Sequence, residues 1–165
     1  MKHTLLLFLC WSVTVFADIT VVDDSGTTVV LAEPAGKIVS LSPHLTELLF
    51  SLGVGDRIEA TVDFSDYPEA ALNIPRLGNA FSVSVEAVIE QSPDLIVAWM
   101  TGGNHRTFEQ LRALGYPVFV NEASSLVGIA AAVQQLGILV GKPERGLELA
   151  EKFRVDLQRL RQSSS

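Results

Sequence analysis

Two periodicities of hydrophobic residues alternate along the chain after residue 18. Short runs rich in β-branched residues, typical of strands, are followed by stretches in which apolar residues recur every three or four positions, typical of helices. The runs at 19–22 and 28–31 flank the turn residues Asp23-Asp24-Ser25-Gly26 and predict a β-hairpin. The later runs predict short buried strands at 37–41, 57–62, 94–99 and 117–120.

Amphipathic stretches after these strands predict helices. Ser42 followed by Pro43 is typical of a helix start, and Ser84 and Ser124 are expected to cap two later helices. The predicted apolar faces consist of Leu45, Leu48, Leu49 and Leu52 in the first helix, of Phe108, Leu111 and Leu114 in the third, and of Leu126, Ile129, Ala130, Val133 and Leu136 in the fourth. The alternation predicts an α/β fold, namely one Rossmann-like lobe with a mostly parallel sheet flanked by helices and preceded by the hairpin.

The two ends of the chain differ from this lobe. Lys2, an apolar run that is too short to span a membrane, and the small-residue site at Ala17 are typical of a signal peptide. We therefore assign residues 1–17 to a signal peptide cleaved before Asp18, residues 18–142 to the lobe, and residues 143–165 to a C-terminal helix.

The C-terminal helix begins at Pro143 and has an apolar stripe without an obvious partner. The stripe is predicted to consist of Leu147, Ala150, Phe153, Leu157 and Leu160. Only its first part has a lobe to cover it, so we expect Leu157 and Leu160 to be exposed or to contact another chain. Self-association through this helix is one possible consequence.

Charge and cysteine content narrow the class of protein. The formal charge is −7, and because Lys2 is the one charged residue in the signal segment, residues 18–165 carry −8. Such an acidic chain argues against binding to nucleic acid and to anionic membranes. The single cysteine, Cys10, lies in the signal segment, and an exported chain without disulfides fits the bacterial periplasm.

Motifs of catalysis and of metal binding are missing from the sequence. It contains neither a GxxxxGK[ST] loop nor a G-x-S-x-G elbow, and we predict no enzymatic activity and no catalytic residue. His44 and His105 lie far apart without clustered partners, so no metal site is predicted; both remain alternative ligand contacts.

Aromatic residues occur in loops that follow the predicted strands. Phe64 and Tyr67 follow the second strand of the lobe, Phe81 lies in the next segment, and Trp99 ends the third strand. Loops at the carboxyl ends of parallel strands form the usual ligand crevice of such sheets, and aromatic faces bind large flat ligands without needing a charge. Each ring has the alternative role of a core residue that closes the end of the sheet.

Two segments of the chain resemble a known family. The runs SLSPHLTELLFSLGVGDRIEATVDFSDYPEAA and RLGNAFSVSVEAVIEQSPDLIVAWMTGGN are similar to the periplasmic cobalamin-binding proteins of vitamin B12 ABC importers, part of a wider group that also carries haem and ferric siderophores. The resemblance implies two α/β lobes joined by a long helix, with the ligand between them. This chain would supply the first lobe and the start of that helix, without the second lobe.

The resemblance also implies roles for single residues. Phe64 and Trp99 match positions with ligand-facing aromatics, and Phe81 lies beside Ala80, which occupies the position of another cleft aromatic. Glu86 matches a surface glutamate that pairs with arginines of the membrane permease. Its alternative role is a favourable interaction with the helix dipole in the first turn.

The implied function is capture of cobalamin or a related corrinoid as a transported ligand, with no covalently bound cofactor, and its delivery to an inner-membrane ABC permease. Haem is an alternative ligand that would need an axial residue such as His44, Tyr67 or His105. A ferric siderophore would favour clustered arginines, which this lobe lacks. A non-transporting interaction module or an inactive fragment is the alternative from another class, and the DNA beyond Ser165 would discriminate between them.

Overall fold

The computed structural model describes residues 17–122 and 126–163, so the predicted signal peptide up to Phe16 and the predicted cap Ser124 lie outside the described residues. The predicted hairpin is confirmed. Strands β1 (Ile19–Val22) and β2 (Thr28–Leu31) pair antiparallel as a separate two-stranded sheet.

The main sheet is parallel, as predicted. Strands β3 (Ile38–Ser40), β4 (Ile58–Ala60), β5 (Leu95–Trp99) and β6 (Val118–Asn121) lie in the order β4-β3-β5-β6. Strand β4 is shorter than the predicted 57–62, because a 3₁₀ turn (Gly55–Arg57) takes its first residue and Thr61 already pairs with Arg76 on the outer side.

Helices cover both faces of this sheet. They are α1 (Pro43–Ser51), α2 (Val85–Glu90), α3 (His105–Ala113), α4 (Leu126–Leu139) and α5 (Pro143–Ser163). The hairpin, α1 and α4 pack on one face through residues such as Leu49 and Leu136, and α2 and α3 pack on the other through Val88 and Phe108. The Rossmann-like lobe is thus confirmed. No helix among these described residues is long and apolar enough to cross a membrane.

One prediction about a helix end was wrong, and one correctly placed cap residue lacks its side-chain hydrogen bond. Helix α3 ends at Ala113, and Leu114 is 59% exposed because the chain turns away there through Gly115 at φ +88°. Ser42 precedes α1 as predicted, but its hydroxyl does not cap the helix; it lies 2.7 Å from the His44 Nδ1.

The predicted stripe of α5 was right at Ala150 but wrong at Leu147, and it missed Gly146. Gly146 and Ala150 are buried, whereas Leu147 is 57% exposed. The reason is the close crossing with α4: a Cβ atom on Gly146 would lie 3.2 Å from the Gly137 Cα, so the two helices approach through glycine. Leu160 is exposed as expected, while Leu157 is only half-exposed.

The tip of the hairpin is fixed to the edge of the main sheet. The buried Asp23 carboxylate accepts hydrogen bonds from the Val120 backbone N–H (2.9 Å) and from the Arg112 guanidinium (2.6 Å). Asp24 accepts from the Asn121 side chain (2.9 Å) and from the Glu122 N–H (2.7 Å). These bonds attach the hairpin to the last strand where that strand reaches the carboxyl edge of the sheet.

Candidate ligand-binding edge

The predicted contact residues all follow or end strands at one edge of the sheet. Because β3–β6 are parallel, their carboxyl ends meet at this edge, where Trp99 ends β5 and Phe64 and Tyr67 follow β4. The segment before Phe81 runs alongside the end of β4: the Asp63 N–H donates to the Gly78 carbonyl at 2.9 Å. We call this surface the aromatic edge, defined by Phe64, Tyr67, Phe81 and Trp99.

The exposure of these rings separates them from the other described aromatic residues. Phe64, Tyr67 and Phe81 are 77%, 70% and 63% exposed, and Trp99 is 37% exposed. The described aromatic rings elsewhere, in contrast, are buried or half-buried: Phe50, Phe108, Tyr116, Phe119 and Phe153. The first three rings therefore do not close the core, and the exposed aromatic surface is concentrated at one edge.

Trp99 borders an open pocket of about 340 Å³. Its lining consists of His44, Glu47, Leu48, Ser51, Trp99, Asn121, Ile129 and Ala132. The His44 ring meets the Trp99 ring edge-to-face, with centroids 5.3 Å apart and an interplanar angle of 89°. Gly102 lies directly against the indole, since a Cβ atom there would come within 1.6 Å of Trp99 Cε3. The indole therefore contacts both His44 and Gly102, and a larger residue at position 102 would displace the ring.

A chain of polar contacts fixes His44. Its Nδ1 lies 2.7 Å from the Ser42 Oγ and its Nε2 lies 3.3 Å from the Asn121 Oδ1. The Asn121 amide group donates in turn to Asp24, which leaves its oxygen to accept from His44, so Nε2 carries the proton. Asn121 was missed by sequence reasoning, although its position at the end of β6 places it at the same edge.

Burial lowers the pKa of His44 from 6.5, while the hydrogen bond to Asn121 and the charges of Glu47 and Glu122 oppose that shift. The imidazole at the pocket is therefore neutral at neutral pH. Neutral imidazole contacts the indole as a flat, partly apolar ring, which suits a pocket of apolar character.

The loops at the aromatic edge carry no free positive charge. Asp63 and Glu122 are acidic, and Arg76 is occupied by the Ser65 carbonyl at 2.8 Å and by Asp66 at 3.4 Å. Within the described residues, no group of three or more His, Cys, Asp and Glu side chains is arranged to hold a metal ion. His105 begins α3 and is exposed.

Glu86 lies in the first turn of α2. The Ser84 Oγ caps this helix by accepting a hydrogen bond from the Ala87 N–H at 3.1 Å. The Glu86 side chain is exposed and lines a shallow groove of about 380 Å³ with Val85, Gln110, Ala113 and Leu114. Its position fits both the docking role and the interaction with the helix dipole, so contact with a permease stays a prediction.

Comparison with known proteins agrees with this fold. A family model described as periplasmic binding protein matches residues 38–165. A vitamin B12-binding protein of Vibrio campbellii is 37% identical over 129 residues, which is 78% of this chain and 47% of that protein. The crystal structure of the periplasmic vitamin B12 binding protein BtuF of Vibrio cholerae superposes with a TM-score of 0.75 at 37% identity, covering 79% of this chain and 51% of that one.

A haem-binding protein is also similar. The periplasmic haem-binding protein RhuT from Roseiflexus sp. RS-1, in apo form, superposes with a TM-score of 0.71 at 27% identity, covering 78% of this chain and 49% of that one. The chain belongs to the periplasmic binding protein family. It spans about half the length of the relatives that it matches.

Proposed function

We propose that the chain forms one wall of a periplasmic solute-binding site for cobalamin or a related corrinoid. The observation that carries this proposal is the aromatic edge, where the exposed aromatic rings of the described residues are concentrated. A corrinoid is a large, flat macrocycle with apolar faces and neutral amide arms. Aromatic rings stack on such faces, and each well-packed aromatic contact contributes about 0.5–1.5 kcal/mol beyond its area burial.

The similarity to vitamin B12-binding proteins supports this choice of ligand. The loops that carry these rings contain no free cation, which supports it as well, because a neutral ligand needs no charged partner. Binding, rather than chemical conversion, is the role that we assign to this edge.

The proposed location is the periplasm, and the proposed partner is an inner-membrane ABC permease. A signal peptide cleaved near Ala17 would place the protein in the periplasm. Delivery would then require an inner-membrane ABC permease, and the exposed Glu86 is the residue that we assign to docking. A surface ion pair contributes about 1 kcal/mol or less, so Glu86 would act mainly on steering and orientation.

Equilibrium ultrafiltration of residues 18–165 with cyanocobalamin tests the proposed ligand. We expect Phe64→Ala and Trp99→Ala each to weaken binding about three- to thirtyfold, since each removes a large aromatic contact. Leu114→Ala is the matched control, because Leu114 is 59% exposed but lies at the end of α3, away from the aromatic edge. Equal binding by all four proteins, or none by any, would refute the proposal.

Haem is the second candidate, favoured by the similarity to RhuT and by His44 beside Trp99. An axial histidine or tyrosine shifts the Soret band of haemin, so a shift that His44→Ala, Tyr67→Phe or His105→Ala removes would support haem. The absence of any shift, together with cyanocobalamin binding, would leave the corrinoid as the ligand.

A further inference from the structure

The backbone of Phe64 has a conformation that its side chain disfavours. Phe64 is the third residue of a turn in which the Ser65 N–H approaches the Val62 carbonyl at 3.4 Å, and its φ is +66°. This left-handed region favours glycine, because a Cβ atom there crowds the backbone. With 77% of its surface exposed, the ring gains little packing in return. An unfavourable conformation of this kind persists only where neighbouring interactions impose it.

A row of buried hydroxyl groups leads from the sheet to the residue after Phe64. The Thr46 hydroxyl contacts the Ser40 Oγ at 2.9 Å and the Thr61 Oγ1 at 2.8 Å. The Thr61 hydroxyl then donates to the Ser65 Oγ at 2.8 Å. All four side chains are buried, Ser65 at 1% exposure and the others at 0%. The row therefore anchors Ser65 to β3 and α1, which are rigid parts of the lobe.

Arg76 holds the same residue from the other side. Its guanidinium donates to the Ser65 carbonyl at 2.8 Å and to the Ala71 carbonyl at 3.1 Å. The residue before Phe64 is also fixed, since the Asp63 N–H donates to the Gly78 carbonyl at 2.9 Å. Both neighbours of Phe64 are thus tied to the fold while the ring itself projects into solvent.

We propose that Ser65 and Arg76, with Thr61 behind them, are positioning residues that hold Phe64 in its left-handed conformation, so that the ring is in place before the ligand arrives. This inference rests on the proposed function of the aromatic edge. Preorganisation favours binding because the ordering cost is met on folding and not again on association. The residues themselves need not touch the ligand.

A double-mutant cycle on cyanocobalamin binding tests this role. Ser65→Ala is expected to weaken binding about three- to tenfold when Phe64 is present, and by less than about twofold in the Phe64→Ala background. The loss of thermal stability should be the same in both backgrounds. Arg76→Lys, which keeps the charge but loses the fork that reaches two carbonyls, should follow the same pattern. Ser65→Thr, which keeps the hydroxyl, should restore binding.

Thr107→Val is the control for the loss of a buried hydroxyl, since Thr107 is 5% exposed and donates to the Val83 carbonyl at 3.3 Å. It should lower the melting temperature without changing cyanocobalamin binding. A binding loss in Ser65→Ala that is equal in both Phe64 backgrounds, or no loss at all, would overturn the positioning role alone. Failure of the unsubstituted chain to bind cyanocobalamin would overturn the proposed function and the positioning role with it.

The backbone strain at Phe64 can be tested without a ligand, by comparing melting temperatures. Alanine keeps the unfavourable left-handed conformation, whereas glycine relieves it. We therefore expect Phe64→Gly to melt about 2–4 °C above Phe64→Ala, the reverse of the order at ordinary positions. An alanine variant that melts at the same temperature or higher would show that nothing in the fold holds Phe64 against its preference.

Discussion

At the scale of single residues, His44 connects the site to the stability of the lobe. The sequence identified it only as one of two isolated histidines, because its partners Ser42, Trp99 and Asn121 come together through the fold. The location of Phe64, Tyr67, Phe81 and Trp99 at one edge was predictable, since a loop that follows a buried strand lies at the carboxyl edge of a parallel sheet. The left-handed backbone of Phe64 was not predictable. It depends on the hydrogen bonds that Thr61 and Arg76 donate to Ser65, and a sequence pattern does not show such contacts.

His44 makes the stability of the lobe dependent on pH. Its pKa is lowered from 6.5 by burial, so the unfolded chain binds the proton more tightly than the folded chain does. Below about pH 6.5 unfolding is accompanied by proton uptake, and the free energy of unfolding falls as the pH falls through the folded pKa. We expect urea unfolding between pH 7.5 and pH 5 to show this decline, and His44→Gln to reduce it. A slope in His44→Gln identical to that of the unsubstituted chain would contradict the assignment.

At the scale of elements, the crossing of α4 and α5 depends on two glycines that face each other. Helix periodicity predicted both helices, and Ser84 correctly indicated where α2 begins. It correctly included Ala150 in the buried stripe of α5 but placed Leu147 there instead of Gly146, because periodicity marks large apolar residues as core. A contact between small residues leaves only a weak signal in a hydrophobic pattern.

Replacing one of these glycines with alanine shows whether the gain in helix propensity or the loss of close packing has the larger effect on stability. Alanine is a better helix former than glycine by about 1 kcal/mol, but a Cβ atom on Gly137 would lie 2.9 Å from the Lys142 carbonyl oxygen and 3.0 Å from the Gly146 Cα. We expect Gly137→Ala to lower the free energy of unfolding by about 1–3 kcal/mol, because backbone atoms of α5 would have to move. Urea unfolding measures the change. Gln158→Ala, at an exposed position of α5, should stay within about 0.5 kcal/mol, and a stabilised Gly137→Ala would show that the crossing is not tight.

At the scale of the whole molecule, the lobe presents exposed aromatic rings along one edge of its parallel sheet. The alternation of strands and helices was sufficient to predict the parallel sheet and its flanking helices. The attachment of the hairpin to β6 through Asp23 was not readable, because it arises from a buried carboxylate whose partners lie about a hundred positions further along the chain. The relatives extend to about twice the matched length, so this lobe corresponds to about half of each of them.

The most direct test of the proposed corrinoid site uses Trp99 as its own reporter. Residues 18–165 contain no other tryptophan, so a single indole N–H signal appears in the proton–nitrogen NMR spectrum of ¹⁵N-labelled protein. We predict that cyanocobalamin shifts this signal in a saturable manner, and that Leu114→Ala leaves the shift unchanged. The shift should require concentrations well above nanomolar, because residues 18–165 form only one wall of the proposed site. An indole signal that does not move at millimolar cyanocobalamin, while the protein remains folded, would contradict the account.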